Sequence, residues 1–392
     1  MPPPTTLLAH NFYKEPGGED QVFAAEANLL ERKGHSVIRY EEHNSRIKAG
    51  NVIATGIDTV WSRRSYRDLQ SVAHKHRPDV AHFHNTFPLI SPAAYYAVGR
   101  QSVPVVQTLH NYRLLCVGAT LSRDGRPCED CLSASPWLGV AHGCYRNSRV
   151  ASLAVASMLE FHRARQTWTT MVDVFIALSE FARNKFIRGG LPPDRVVVKP
   201  NFVEPDPGIG CGEGGYALFV GRLTDEKGVR TLLEAWARLP GIPLRIVGQG
   251  PLAGLRSLGS VSWTGSQTRE QVAAEMRNAR VLVFPSICYE SAPLAITEAF
   301  ATGLPVIASD LGAMADLVMH GHTGLLFRPG DAEDLARQAQ WAFEHPAELR
   351  AMRAAARREY EEKYTAERNY KMLMDIYEMA IESARRRQRA AS

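Results

Sequence analysis

Alternating strand and helix patterns in both halves of the chain predict an α/β protein. It is read as two Rossmann-like, doubly wound domains facing a central cleft. Three observations carry this. Short apolar runs separated by helical stretches recur in the first half and again in the second; buried parallel strands read as such continuous runs. A Pro- and Gly-rich stretch near 200–214, in RVVVKPNFVEPDPGIGCGEGG, separates the two series as a linker. A length of 392 residues fits two domains rather than one.

In the first series TTLLA reads as a strand and residues 19–33 as the following helix. HSVIRY, PDVAHFH, VPVVQTLH and VDVFIAL are further strands, the last preceding the helix SEFARNKFI. RVVVKPNF is read as the beginning of the linker. The second series runs YALFVG, a helix near 228–238, PLRIVG, VSWTG, ARVLVFPS, PVIASD and TGLLFRPG. Residues 331–364 read as helical, broken at Pro346. A last helix from about Thr365 to about Arg387 is long enough to cross back to the first domain. The expected domains are 1–203, with a Cys-rich insert at 113–146, then 204–364, then a crossover helix and basic tail at 365–392.

Composition narrows the class. Hydrophobic content of 45% suits a globular protein with sizeable cores. No run approaches the roughly 18 consecutive apolar residues of a membrane span. The N-terminus lacks the charged and apolar regions of a secretory signal, so a cytoplasmic location is expected. Six cysteines in this length fit a reducing compartment rather than a disulfide framework. Residues 1–205 hold 24 Lys+Arg against 18 Asp+Glu, and the remainder 22 against 23. That asymmetry allows peripheral contact with an anionic membrane face. The terminal ARRRQR is too short to argue for nucleic acid, and no nucleic-acid partner is expected.

The second domain carries the clearest chemistry. GRLTDEKG follows the YALFV strand and places Arg222 and Lys227 at its carboxyl end. A guanidinium fork and a compact ammonium suit a diphosphate and stabilise it as a leaving group. ESAPLAITE, after VLVFPS, supplies Glu290 and Glu298. Ser291 is the expected N-cap and Pro293 a first-turn residue, so the N–H groups near Leu294 and Ala295 would favour a phosphate. A carboxylate such as Glu298 accepts hydrogen bonds from two adjacent hydroxyls. No DxD triplet follows a strand, so a metal-held donor is not expected.

GRLTDEKG, the spacing Glu290-x7-Glu298, PVIASDLGAMADLV and HGHTGLLFRPGD together resemble retaining glycosyltransferases of the GT-B fold, family 4. The likeness is close over roughly 215–335 and looser in EPGGEDQVF, VAHFHNTFPLISP and TLHNYR. It implies that Arg222 and Lys227 hold a donor diphosphate, that Glu298 grips the ribose, and that Glu290 contacts the transferred sugar. Backbone near Leu294 would meet phosphate, and Thr264–Gln267 would lie near the base. His110 would contact the donor sugar near the reacting carbon, making Glu290 and His110 the implied catalytic positions. One departure is that Ser291-Ala292-Pro293 stands where many relatives have glycine.

In the first domain, Gly17 and Gly18 precede a helix and let backbone approach an anion, although G-x-G-x-x-G is not met. The resemblance turns this loop toward the diphosphate and acceptor. His84, with His82 in an H-x-H pair, and Asn111 beside His110 are expected on the acceptor side. Cys116, Cys128, Cys131 and Cys144 form C-x11-C-x2-C-x12-C, a pattern open to a structural zinc or to unligated thiols.

The implied function is transfer of a sugar from a nucleotide-diphosphate sugar to an acceptor hydroxyl with retention, and no cofactor is expected for the chemistry. Polysaccharide or glycolipid synthesis at the inner membrane face, with a carbohydrate or lipid-linked glycan acceptor, is the expected setting. A sugar-nucleotide epimerase or hydrolase, or a non-catalytic nucleotide-sugar-binding module, is the alternative.

Overall fold

The computed structural model describes residues 3–15, 17–47, 52–255 and 259–391. The chain forms two compact units. One comprises Met1–Leu121, Cys128–Lys199 and Tyr370–Ser392; the other comprises Ser122–Pro127 and Pro200–Asn369.

Strands β1 (Thr6–Phe12), β2 (Val37–His43), β3 (Val80–Asn85), β4 (Val105–Leu109), the hairpin pair β5 (Ser122–Arg123) and β6 (Arg126–Pro127), β7 (Val174–Ala177) and β8 (Val196–Val198) follow in chain order. All but the hairpin form one parallel sheet, ordered β2-β1-β3-β4-β7-β8. Leu7, Leu8, Phe83, Val105, Val106, Phe175 and Ile176 are fully buried, as expected of strands covered on both faces. Strand β8 corrects the reading of RVVV as loop. It is three residues long and lies at the sheet edge, too short for periodicity to reveal.

The second unit holds β9 (Ala217–Val220), β10 (Leu244–Val247), β11 (Val261–Gly265), β12 (Val281–Phe284), β13 (Val306–Ser309) and β14 (Gly324–Phe327). They form a parallel sheet ordered β11-β10-β9-β12-β13-β14, the dinucleotide-fold order. Trp236, Phe219, Leu335 and Phe327 fill one face; Phe300, Leu282 and Ile296 fill the other. Side chains of Ser62, Ser148, Ser179, Thr268 and Asp331 cap helix starts.

Two departures concern the insert and the last helix. Ser122–Pro127 belongs to the second unit, whereas the whole insert was expected in the first domain. A β-carbon at Gly125 would sit 3.8 Å from Ile287, a second-unit residue. The last helix, Ala366–Ala391, enters the first unit at Tyr370. There Tyr377 meets His82 at 3.0 Å and Arg387 meets Asp173 at 3.2 Å.

Candidate functional site

In the second sheet the chain runs outward in opposite directions from β9 and β12, although the two strands are neighbours. Such a switch point leaves a crevice beyond the carboxyl ends of its strands. Arg222 and Lys227 follow β9, and Glu290 follows β12. The two loops are stitched together. The N–H of Ile287 donates to the Glu226 carbonyl at 3.0 Å, and Ser286 Oγ lies 3.0 Å from the same oxygen. Gly228 has φ 72°, and a β-carbon there would lie 1.9 Å from the Pro285 carbonyl oxygen. Only glycine permits that contact.

The stitching delivers Lys227 Nζ to within 2.6 Å of Glu290 Oε1, and Ser286 Oγ donates to the same oxygen at 2.8 Å. Both charged side chains remain reachable, 19% and 15% exposed. Burial pushes the Glu290 carboxyl up, but Lys227, Ser286 and Arg222 outweigh it and hold it below its usual range. Burial likewise pulls Lys227 down, and Glu290 overrides it to keep the ammonium charged. Arg222 itself is exposed, with its charge felt by both partners. Burial, then Glu290, pushes the Cys288 thiol up to about 12, so it is no thiolate nucleophile.

The helix Leu294–Ala301 begins after Pro293, which takes the N-cap position expected for Ser291. Its opening N–H groups lack intrahelical acceptors and carry the positive end of the helix dipole. Glu298 lies one turn in, 19% exposed, with Arg269 at 3.8 Å. Burial raises its carboxyl, and Arg269 offsets part of that rise. The sequence reading missed Arg269. The signal was present, because Thr268 and Gln271 form a capping box that makes Arg269 the first helical residue. In the same segment Thr264 donates to the Ile246 carbonyl at 3.2 Å, and Gln267 Oε1 is buried with no hydrogen-bond partner among the described residues.

The first unit places His110 directly after β4 and above a buried chain of contacts. His110 Nε2 and His84 Nδ1 share a hydrogen bond of 3.0 Å. His84 Nε2 meets Glu26 Oε1 at 3.1 Å, and Lys199 donates to Glu26 Oε2 at 2.8 Å. His84 is only 2% exposed, which corrects its expected place on the acceptor side: it holds His110 from beneath. His82 is also internal, bonded to Thr108 at 2.7 Å. Burial, then His82, pulls the His84 imidazole down to about 3. Burial, then His84, holds His110 well below its usual value, so both rings are neutral. Burial pushes Glu26 up, but Lys199 and His82 reverse this and leave it well below its usual value. Ligand-type atoms of Glu26, His82 and His84 lie within 4.8 Å of one another, yet the Lys199 ammonium already balances the carboxylate.

Gly17 donates its N–H to Asp20 at 2.7 Å, and the helix begins at Gly18. A β-carbon on Gly17 would touch only that carboxylate, at 4.0 Å, so the turn has open space beside it. Pro16 lies outside the described residues. Asn111 does not stand alone as an acceptor contact: it donates to Glu19 at 3.1 Å. Burial raises the Glu19 carboxyl to about 7, against opposing hydrogen bonds from Tyr13 and Asn111. Glu19 was not singled out from sequence, because its partner Asn111 lies 92 residues further along the chain.

Cys116 and Cys131 are buried, Cys128 and Cys144 half-buried, and no disulfide joins them. Burial, then Cys116, raises the Cys131 thiol, with Cys128 adding to it. Among the described residues no three of the four sulfurs lie within 4.8 Å of one another. A tetrahedral ligand set is therefore not preassembled.

The two Rossmann-like sheets and the switch-point cations define a protein of the GT-B class. A model described as "Glycosyltransferase Family 4" matches residues 16–207, and "Glycosyl transferases group 1" matches 214–345. The phosphatidyl-myo-inositol mannosyltransferase of Mycobacterium leprae is 32% identical over 276 residues, 64% of this chain and 71% of that protein. The chain belongs to glycosyltransferase family 4. The sulfoquinovosyl transferase SQD2 of Arabidopsis thaliana is 32% identical over 154 residues, 38% of this chain; the chain spans only 30% of SQD2's length in that match. In fold the chain is similar to Anabaena HepE in complex with UDP and glucose, with a TM-score of 0.67 and 17% identity over 95% of this chain and 98% of that one.

Proposed function

We propose that the protein transfers a sugar from a nucleoside-diphosphate sugar to an acceptor hydroxyl, with the anomeric configuration retained. The observation that carries this is the Lys227–Glu290 pair at 2.6 Å beside Arg222, at the switch point and ahead of the helix Leu294–Ala301. The bond between the anomeric carbon and the diphosphate oxygen breaks as the bond to the acceptor oxygen forms on the same face. The acceptor proton passes to the departing phosphate. Arg222, Lys227 and the helix start take up the charge on the diphosphate, so no donor-bound metal is required. Glu290 stays ionised and faces the sugar as it gains positive character. Glu298 and Gln267 serve ribose and base. Within the first unit, neutral His110 and the backbone donors of the Gly17–Gly18 turn are the residues proposed to meet ligand.

HepE, bound with UDP, supports a nucleotide donor, and the mannosyltransferase relative supports a lipid-linked or carbohydrate acceptor. The setting proposed with that acceptor class is synthesis of a cell-surface glycan on the cytoplasmic membrane face. For the insert we propose a structural zinc drawn in by the four cysteines. Metal analysis of the purified protein tests it, and a metal-free, fully active preparation overturns it.

A thermal-shift panel of nucleoside diphosphates and their sugars tests the donor. Ligand at 100 times Kd adds about 2.7 kcal/mol to stability. The expected result is one responding base whose shift disappears in Arg222→Ala. Rapid turnover of donor without any acceptor would instead identify a hydrolase, and binding without turnover a non-catalytic module.

A further inference from the structure

The amino ends of β3 and β4 frame a cavity of about 480 Å³ within the first unit. Pro78 and Asp79 lead into β3, and Val103 and Pro104 lead into β4. His110 follows the other end of β4, so the five residues of that strand, about 17 Å, separate it from this hollow. The volume falls within the roughly 300–1,000 Å³ of small-molecule sites.

Two helices close the sides. The helix Arg63–His76 brings Ala73 and His74, and Arg77 follows as its C-cap. The last helix brings Ile381, Ala384 and Arg385, which share a face at i, i+3 and i+4. Ala73, Val103 and Ala384 are buried and make an apolar floor. His74, Arg77 and Arg385 stand exposed at the rim.

The rim is rich in donors and poor in acceptors. Among the described residues, no ion pair or side-chain hydrogen bond engages His74, Arg77 or Arg385. Arg387, two residues on, is by contrast held by Asp173 at 3.2 Å. The one carboxylate of the lining, Asp79, already accepts the Thr5 N–H at 2.8 Å. A helix C-terminus favours nearby positive charge, which accounts for a cation at Arg77. It does not account for Arg385, which arrives on a different helix from the far end of the chain. Nor does it explain an arginine at φ 45°, a C-cap conformation that glycine usually takes. Positive groups brought to one hollow from two elements raise its potential and favour an anion.

We propose that this cavity binds the phosphate monoester of a small soluble metabolite, with the phosphate on Arg77, Arg385 and His74 and the organic body over the apolar floor. A phosphate monoester carries close to two charges at neutral pH and three strong acceptor oxygens. Those oxygens match two guanidinium forks and an imidazole. A bare phosphate would leave most of the volume empty. The bound ester would join the last helix to Arg63–His76. The proposal stands apart from the reading of the sugar site, since the two sites lie at opposite ends of β4 and bind through different residues.

Titration calorimetry of the full chain with inorganic phosphate and with glycerol 3-phosphate, at constant ionic strength, tests it. Both should bind to Arg222→Ala, in which the donor site is disabled. In that background Arg77→Gln with Arg385→Gln should weaken binding at least about tenfold, with the circular dichroism spectrum unchanged. His74→Gln alone should weaken it about threefold, and it carries the test if the double variant misfolds. The proposal is overturned if phosphate binding disappears in Arg222→Ala, or if it survives unchanged in both rim variants. It is equally overturned if sodium chloride of matched ionic strength reproduces the heat. Displacement of glycerol 3-phosphate by phosphatidylglycerol vesicles would assign the rim to a lipid headgroup and overturn it too.

Discussion

The side chain missing at Gly228 and the carbonyl of Pro285 occupy the same space: a methyl group on the former would lie 1.9 Å from the oxygen of the latter. Gly228→Ala should therefore displace the loop that carries Lys227. With a positive φ added to the clash, we expect a loss of about 2–4 kcal/mol in denaturant unfolding. Nucleotide affinity should fall at least about tenfold in titration calorimetry, equivalent to about 1.4 kcal/mol.

Glu290→Gln keeps the shape and removes the charge. If the carboxylate faces a sugar that becomes positive only during transfer, the turnover rate should fall about 10²–10³-fold. Nucleoside-diphosphate affinity should stay within about threefold of wild type, because the uniform part of binding is intact. Nearly full turnover in this variant would remove Glu290 from the mechanism.

Lys199 and Glu26 are 2% and 1% exposed at the side chain and 2.8 Å apart. Lys199→Ala leaves a buried carboxylate without its cation, and should cost about 3–5 kcal/mol in urea unfolding. Lys199→Met combined with Glu26→Gln should recover part of that loss, because no lone charge remains.

The same cluster sets the acid response. Glu26, His84 and His110 all have folded values below their unfolded ones. An unfolded chain then binds more protons than the native one as pH falls, so each contribution is present at neutral pH and is lost on acidification. For the imidazoles the loss begins near their unfolded value of about 6.5 and for His84 continues toward about 3. Each contributes up to about 1.4 kcal/mol per pH unit. Urea midpoints measured from pH 7 to 5 should fall steadily, and His84→Asn should flatten the curve.

Glu19 has the opposite sign. Its folded value of about 7 exceeds the unfolded one, so the carboxyl stabilises least once pH rises through that window. Glu19→Gln should raise stability at pH 8 by about 1–3 kcal/mol, after allowance for partial exposure. A simultaneous fall in transfer rate would mark Glu19 as a residue kept for activity at the expense of stability.

Much of this was readable from the chain alone. The twelve parallel strands reveal themselves as apolar runs, except β8, whose three residues carry no usable period. Arg222, Lys227 and Glu290 were legible because each stands a few residues beyond a strand end, where local order fixes the address. The Glu26–Lys199 pair was not, since its partners are 173 residues apart and a single sequence holds no pairing information. His84 failed for a related reason: a histidine at a strand end looks alike whether it opens to a ligand or supports another ring.

The first unit is completed by residues from the far end of the chain, with Tyr377 closing over His82. During synthesis its opening segments leave the ribosome long before that tyrosine exists. They must wait, partly open, while the whole second unit is made and is free to fold first. Premature termination anywhere before residue 377 would thus harm the earliest-made part of the protein, and nascent chains should depend on a holding chaperone until translation ends.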